Sequence, residues 1–284
     1  GGIVYSTGLA GFTKGGAQAQ AVEEFFFAQL SDTHWGFNGA KFNPDFKGTL
    51  PKAIAAINAL PNQPDFIVFT GDLTHTTDDP KLRRKRMAEF REIVGGLDNQ
   101  NIRFLPGEHD ASLDNGEAYK EFFGNLYYSF DHKGIHFIAL DNVSDPRARL
   151  GEVQLAWLAA DLKNQKKTQP IVVLTHRPLF KLAPKWGWST MDGQAALDLL
   201  MPYKNVTVFY GHIHQEHHHM SGHIAHHSAK SLIFPLPAPG SVSKKHKIPW
   251  DRSRPYAGLG VRSVQTPKTG AGKFKLSEHT VKGT

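Results

Sequence analysis

What most constrains this chain is a pattern repeated along it: short apolar runs that each stop at a carboxylate or an imidazole. Phe25-Phe26-Phe27-Ala28-Gln29-Leu30 runs into Ser31-Asp32-Thr33-His34, Phe66-Ile67-Val68-Phe69 into Thr70-Gly71-Asp72, and Ile102-Arg103-Phe104-Leu105 into Pro106-Gly107-Glu108-His109-Asp110. Further on, Ile171-Val172-Val173-Leu174 ends at Thr175-His176, and Val206-Thr207-Val208-Phe209-Tyr210 at Gly211-His212-Ile213-His214. Such runs read as buried strands. In open α/β sheets, loops beyond the carboxyl ends of neighbouring strands converge and hold ligands. Asp32, His34, Asp72, Glu108, His109, His176, His212 and His214 are therefore expected to meet in one site.

Helix-like stretches alternate with these runs. Leu50 to Leu60 has apolar residues at Ile54, Ile57 and Leu60; Pro80 to Val94 begins with a proline suited to a first turn; Glu152 to Leu162 and Gly193 to Met201 follow later. Tyr127–Phe130 and Ile135–Leu140 read as a hairpin around Lys133-Gly134. The alternation predicts an α/β fold. With no repeat and no clear linker, residues 22–284 read as one domain whose C-terminal third is strand-like and irregular. Residues 1–21 are rich in Gly, Ala, Ser and Thr and reach Ala19-Gln20-Ala21, a small-x-small cleavage pattern. They read as the remnant of a twin-arginine-like export signal, or else a flexible N-terminus. The first reading places the protein in the periplasm or outside the cell. No run reaches the roughly 20 apolar residues that a membrane span requires.

Composition narrows the chemistry. The chain has no cysteine, which excludes disulfides and thiolate metal sites, but it has 16 histidines. Any metal must use oxygen and imidazole donors. The formal charge of +7 favours an anionic substrate or surface. The basic run Lys81-Leu82-Arg83-Arg84-Lys85-Arg86 falls within an expected helix and reads as its solvated face rather than a nucleic-acid footprint.

In order and spacing, these segments resemble the calcineurin-like metallophosphoesterases, whose pattern is Asp-x-His, Gly-Asp, Gly-Asn-His-Asp, a later His, and Gly-His-x-His. The resemblance covers Phe25 to His214. It implies a four-layer αββα sandwich of two mixed sheets around two metal ions (iron, manganese or zinc). It puts Asp32, His34 and His214 on the first ion, His176 and His212 on the second, and Asp72 between them. It also makes His109 a stabiliser of the transition state or a proton donor to the leaving oxygen, with Asp110 orienting its ring. Such a centre lowers the pKa of bound water towards neutrality, so that a hydroxide can attack phosphorus. The departure is Glu108, which stands where the family has Asn. Either it ligates the second ion, adding a negative charge and favouring manganese or ferric iron over zinc, or it swings away and leaves a water or a single-metal site.

Other residues carry weaker signals. His217, His218, His219, His223, His226 and His227 form a His-rich tract that reads as a partly buried loop-strand region. Asp141 and Asn142 read as structural, His75 and Arg177 as either substrate contacts or surface residues, and Trp186 and Trp188 as packing. The Pro-rich, then basic, segment from Phe234 to Pro249 reads as a lid or an interaction arm. The expected activity is hydrolysis of a phosphoric ester, a small diester such as a cyclic nucleotide before a monoester. The alternatives are a nuclease of the same chemistry and a non-catalytic metal-binding or interaction module.

Overall fold

The computed structural model describes residues 22–268 and 272–282, so the expected signal at 1–21 lies outside the described residues. The order of elements is β1 Phe26–Leu30, α1 Thr49–Asn58, β2 Ile67–Thr70, α2 Pro80–Val94, β3 Ile102–Leu105, α3 Glu108–Ala111, α4 Glu117–Phe123, β4 Tyr128–His132, β5 Ile135–Ala139 and α5 Glu152–Lys163. Then come β6 Pro170–Leu174, α6 Gly193–Leu200, β7 Asn205–Tyr210, β8 His217–Ser221, β9 Ile224–Ser228, β10 Gly260–Gln265 and β11 Lys275–Thr280.

The strands form two mixed sheets, ordered β11-β10-β1-β2-β3 and β4-β5-β6-β7-β9-β8. Strands β1, β2 and β3 run parallel in the first sheet, as do β5, β6, β7 and β9 in the second. Their ligand-bearing ends therefore lie on one side of the sheet. Side-chain alternation along the strands builds the layers. Phe27, Phe66 and Val68 of one sheet face Phe137, Val172, Leu174 and Phe209 of the other in a shared core. Phe27 stacks on Phe66 with centroids 5.0 Å apart and meets Phe209 edge-on at 5.7 Å. The alternate residues, Leu30, Ile67 and Phe69, pack against α1, α2 and α4, and Ile138, Val173 and Val208 pack against α5 and α6. The result is the expected αββα sandwich. Truncating Phe27, fully buried between the sheets, would cost about 3–5 kcal/mol.

Local signals explain the boundaries. Asp79 caps α2 by accepting from the Lys81 and Leu82 amides, and Pro80 opens its first turn. Lys133 and Gly134 both have positive φ (45° and 84°), as a tight turn between β4 and β5 requires. The basic run on α2 is more engaged than a solvated face. Arg83 bonds Asp114 and the Thr77 carbonyl, Arg84 pairs with Glu121, and Arg86 donates to the His75 and Thr76 carbonyls. The His-rich tract is the β8–β9 hairpin, in which His218 pairs with His227 and His219 with His226.

Candidate metal centre

Three of the five ligand-bearing loops, those after β1, β2 and β7, leave their strands through an unusual backbone conformation. Asp32, His34, Asp72, His212 and His214 all have positive φ, between 42° and 68°. L-residues adopt this region at a cost of about 1–2 kcal/mol each. That cost persists only where the surroundings over-determine it, which is typical of a functional site. The motif glycines follow from close approach. A Cβ on Gly107 would run into the Asp72 backbone and carboxylate, and one on Gly71, whose φ is +93°, into the His176 ring.

Two clusters result, and they share one carboxylate. Asp32, His34, Asp72 and His214 form the first; Asp72, Glu108, His176 and His212 form the second. Asp72 Oδ2 stands 3.4 Å from His34 Nε2 and 3.3 Å from His176 Nε2. His214 Nε2 lies 3.3 Å from Asp32 Oδ1 and from His34 Nε2. Glu108 turns inward, with Oε2 2.9 Å from His176 Nε2 and Oε1 2.9 Å from His212 Nδ1. Of the two orientations open to it, this side chain takes the one that points at the second cluster.

The far side of every ligand except Glu108 is held by hydrogen bonds, which turns the near atom toward its cluster. His176 Nδ1 donates to the Thr70 carbonyl at 2.7 Å, His214 Nδ1 to Phe234 at 2.7 Å, and His212 Nε2 to Gly187 at 3.0 Å. Asp32 Oδ2 accepts from Ser31 Oγ at 2.6 Å and the His212 amide at 3.0 Å, and Asp72 Oδ1 accepts from the His109 amide at 2.9 Å. These are the outer contacts that fix ring orientation and tautomer in metal sites. The inner atoms are stranded: among the described residues, Asp32 Oδ1, Glu108 Oε2 and His176 Nε2 are buried without a hydrogen-bond partner. The 2.9 Å approach of the last two is not aligned as a hydrogen bond. Asp32 and His176 are fully buried and Asp72 is 1% exposed.

Electrostatics point the same way. Burial would raise the Asp32 and Glu108 carboxyls, but the neighbouring imidazoles outweigh it and hold both below the usual range, Glu108 well below. Burial would lower His176, but the Asp72 and Glu108 carboxylates carry it well above its ordinary value. Carboxylates and imidazoles buried together this closely depend on opposite charge inside the cluster, which bound cations would supply. The stranded atoms, the all-oxygen-and-nitrogen donor set and the shared Asp72 fit two metal ions.

The family model of the calcineurin-like phosphoesterases matches residues 27–216, more than half of the chain. The chain belongs to that family. A probable glycerophosphodiester phosphodiesterase, GpdQ, of Arcobacter nitrofigilis is 29% identical over 66% of this chain and 71% of its own length. A probable cyclic nucleotide phosphodiesterase of Rhodococcus erythropolis is 31% identical over 54% and 52% respectively. The serine/threonine-protein phosphatase CPPED1 of Mus musculus is 27% identical over 55% of this chain and 57% of its own length, so the match spans little more than half of that relative. Among solved structures, a dimetal phosphatase from Danio rerio has a similar fold, with a TM-score of 0.59 at 15% identity, covering 90% of this chain and 98% of the other.

In this calcineurin-like chain, the neighbours of the ligands differ in part from expectation. His109 lines the cavity beside both clusters. Its Nδ1 accepts from the Thr76 amide at 3.2 Å, and its ring stacks on His75 at 5.0 Å. Asp110 does not orient that ring. Its carboxylate is saturated by the Leu73, Thr74 and Gly107 amides and the Thr74 hydroxyl at 2.8–3.0 Å, tying the Glu108 loop to the Asp72 loop. Burial and the Asp72 carboxylate push it up to about 6. His75 Nδ1 lies 3.1 Å from His34 Nδ1, which makes it the outer partner of that ligand, and it also lines the cavity. Asn142 bonds the Arg177 backbone and Thr190, fixing the loop that carries His176. Its only sequence signal was its place at the end of an apolar run. Trp188 is fully buried and Trp186 packs against its cluster; neither lines the cavity.

Proposed function

We propose that this chain is a dinuclear metal-dependent phosphodiesterase acting on small diesters. The observation that carries the reading is the position of Asp72 Oδ2, nearly equidistant from His34 Nε2 and His176 Nε2, with His109 beside it at the cavity wall. In this reading Asp32, His34, Asp72 and His214 hold one ion, and Asp72, Glu108, His176 and His212 the other. When bound, iron, manganese or zinc would supply Lewis acidity and an activated water.

The remaining work falls to the chain. Because His109 Nδ1 accepts a hydrogen bond from the Thr76 amide, the neutral ring carries its proton on Nε2. That proton is available to the oxygen leaving phosphorus, a role suited to imidazole near neutral pH. Asp110 holds the two ligand loops in register. Phe234 and Leu236 give the 210 Å³ cavity an apolar wall suited to the second organic substituent of a diester. The names of the Arcobacter and Rhodococcus relatives support the same preference, while that of the mouse relative supports a monoester reading. The small-x-small Ala19-Gln20-Ala21 supports placing the reaction in the periplasm or outside the cell.

The test is turnover by purified protein loaded with manganese, iron or zinc, its metal content measured in parallel. Bis(p-nitrophenyl) phosphate should be cleaved with a kcat/KM at least about tenfold above that for p-nitrophenyl phosphate. His109→Gln should lower kcat by about a hundredfold or more at unchanged metal content. Two bound ions without turnover of either ester would sink the proposal. Steeply salt-dependent DNA binding would favour a nuclease instead.

A further inference from the structure

The cavity over the two clusters has walls of opposite character. Its acidic residues, Asp72 and Glu108, are ligand-cluster residues, whereas the other wall presents Lys245, His246 and Lys247 in succession. These three belong to a strap that crosses the mouth from one half of the sandwich to the other. On the first-sheet side, the Trp250 amide donates to the Lys41 carbonyl at 2.9 Å, and Lys247 Nζ lies over the rings of Phe42 and Phe234 at 5.6 and 5.4 Å. On the second-sheet side, Lys245 Nζ donates to the Trp186 carbonyl at 2.8 Å. That carbonyl adjoins Gly187, whose own carbonyl accepts from His212. The strap is thus fastened next to the loop that orients a ligand of the second cluster.

Neither Lys245 nor Lys247 forms an ion pair among the described residues. One of the three ammonium protons of Lys245 is taken by Trp186, which leaves two for another acceptor. Lys245 remains exposed at the cavity mouth; its partial burial lowers the ammonium, and the Glu108 carboxylate is the leading charge opposing that loss. A surface lysine with no partner is ordinary. Here two of them face one cavity floored by the two ligand clusters, and among the described residues neither has a carboxylate within ion-pair distance.

We propose that the strap makes this enzyme selective for esters carrying a second anionic group, a phosphate or a carboxylate, beyond the scissile phosphorus. This rests on the phosphodiesterase reading of the same site. The ester phosphorus occupies the floor between the clusters, and the second anion lies between Lys245 and Lys247. The strap recognises substrate and takes no part in bond breaking.

The pair of probes is the p-nitrophenyl ester of thymidine 5′-phosphate, with and without a 3′-phosphate, and a third p-nitrophenyl diester carries a carboxylate in place of that phosphate. Metal-loaded protein should show kcat/KM about tenfold higher for the two diesters that carry the additional anion. Lys245→Met with Lys247→Met should remove that advantage through KM while changing the plain diester less than about twofold. Equal losses on charged and plain esters, or no advantage in the parent protein, would overturn the proposal. Calorimetric binding of thymidine 3′,5′-bisphosphate gives a readout independent of turnover. Binding that the double substitution weakens about tenfold supports the strap even in a protein that cleaves nothing. Binding that the double substitution leaves unchanged refutes it.

Discussion

Glu108 Oε1 lies 2.9 Å from His212 Nδ1, and the other oxygen of the same carboxylate lies 2.9 Å from His176 Nε2. One side chain therefore spans both imidazoles of the second cluster, at a position where the family pattern has a neutral amide. The extra methylene of Glu does not carry the group away; it brings two oxygens to where one amide oxygen would stand.

Removing that carboxylate should cost metal before it costs structure. Glu108→Ala should bind the second ion at least about tenfold more weakly, while Glu108→Asn, which keeps a carbonyl oxygen, should retain two ions. Elemental analysis after exhaustive dialysis reads this directly. Two ions in both variants would show that Glu108 is not a ligand.

Chelation should loosen the whole molecule, because each cluster draws residues from both sheets. With ions at about a thousand times their dissociation constants, binding contributes about 4 kcal/mol of stability, and stripping them should lower Tm by roughly 10 °C. Calorimetry before and after chelator treatment, followed by reloading, checks the size and the reversibility. A Tm that ignores chelation would count against inter-sheet metal binding.

Asp110→Ala should destabilise the fold by about 3–5 kcal/mol in urea, since four donors lose one shared acceptor in a buried place. Asp110→Asn, with a single acceptor oxygen, should fall between the parent and Ala. Losses under 1 kcal/mol in both would mean that the loops are held by something else.

His226 should make stability fall in acid. Burial, helped by His219 and His227, lowers its folded pKa to about 3 from an ordinary 6.5, and neither ring nitrogen has a hydrogen-bond partner among the described residues. Between those values the unfolded chain binds the extra proton. Its contribution is therefore intact above pH 6.5 and is lost as pH falls towards 3, amounting to about 2 kcal/mol by pH 5. His226→Phe, facing Phe180 and His219 in the same cluster, should reduce the difference in unfolding free energy between pH 7.5 and pH 5 by that amount. An unchanged difference would clear His226 of the effect.

The strand ends were readable because sequence order and space coincide there: an apolar run leads its own ligand to the sheet edge. Helix α2 was legible to the residue because Pro80 marks its start chemically, while the Asp79 cap emerged only in the structure. Helix α4, seven residues between Gly116 and Gly124, is too short for a helical period to declare itself. The pairing of β1 with β10, which sets Phe26 opposite Gln265, has no local signature. The role of Asp110 was misread for the same reason. Its partners are backbone amides that reach it only once β2 and β3 lie side by side. Asn142, His75 and the inward turn of Glu108 likewise depend on neighbours brought in by folding.

That division of ligands also sets a timetable. As the polypeptide emerges from the ribosome, Asp32, His34, Asp72 and Glu108 exist well before His176, His212 and His214, and β1 still lacks its partner β10. A nascent chain thus has neither pocket to offer. Neither cluster is complete until the chain has been made through His212 and His214, so holding two ions waits on the placement of β7 beside β6.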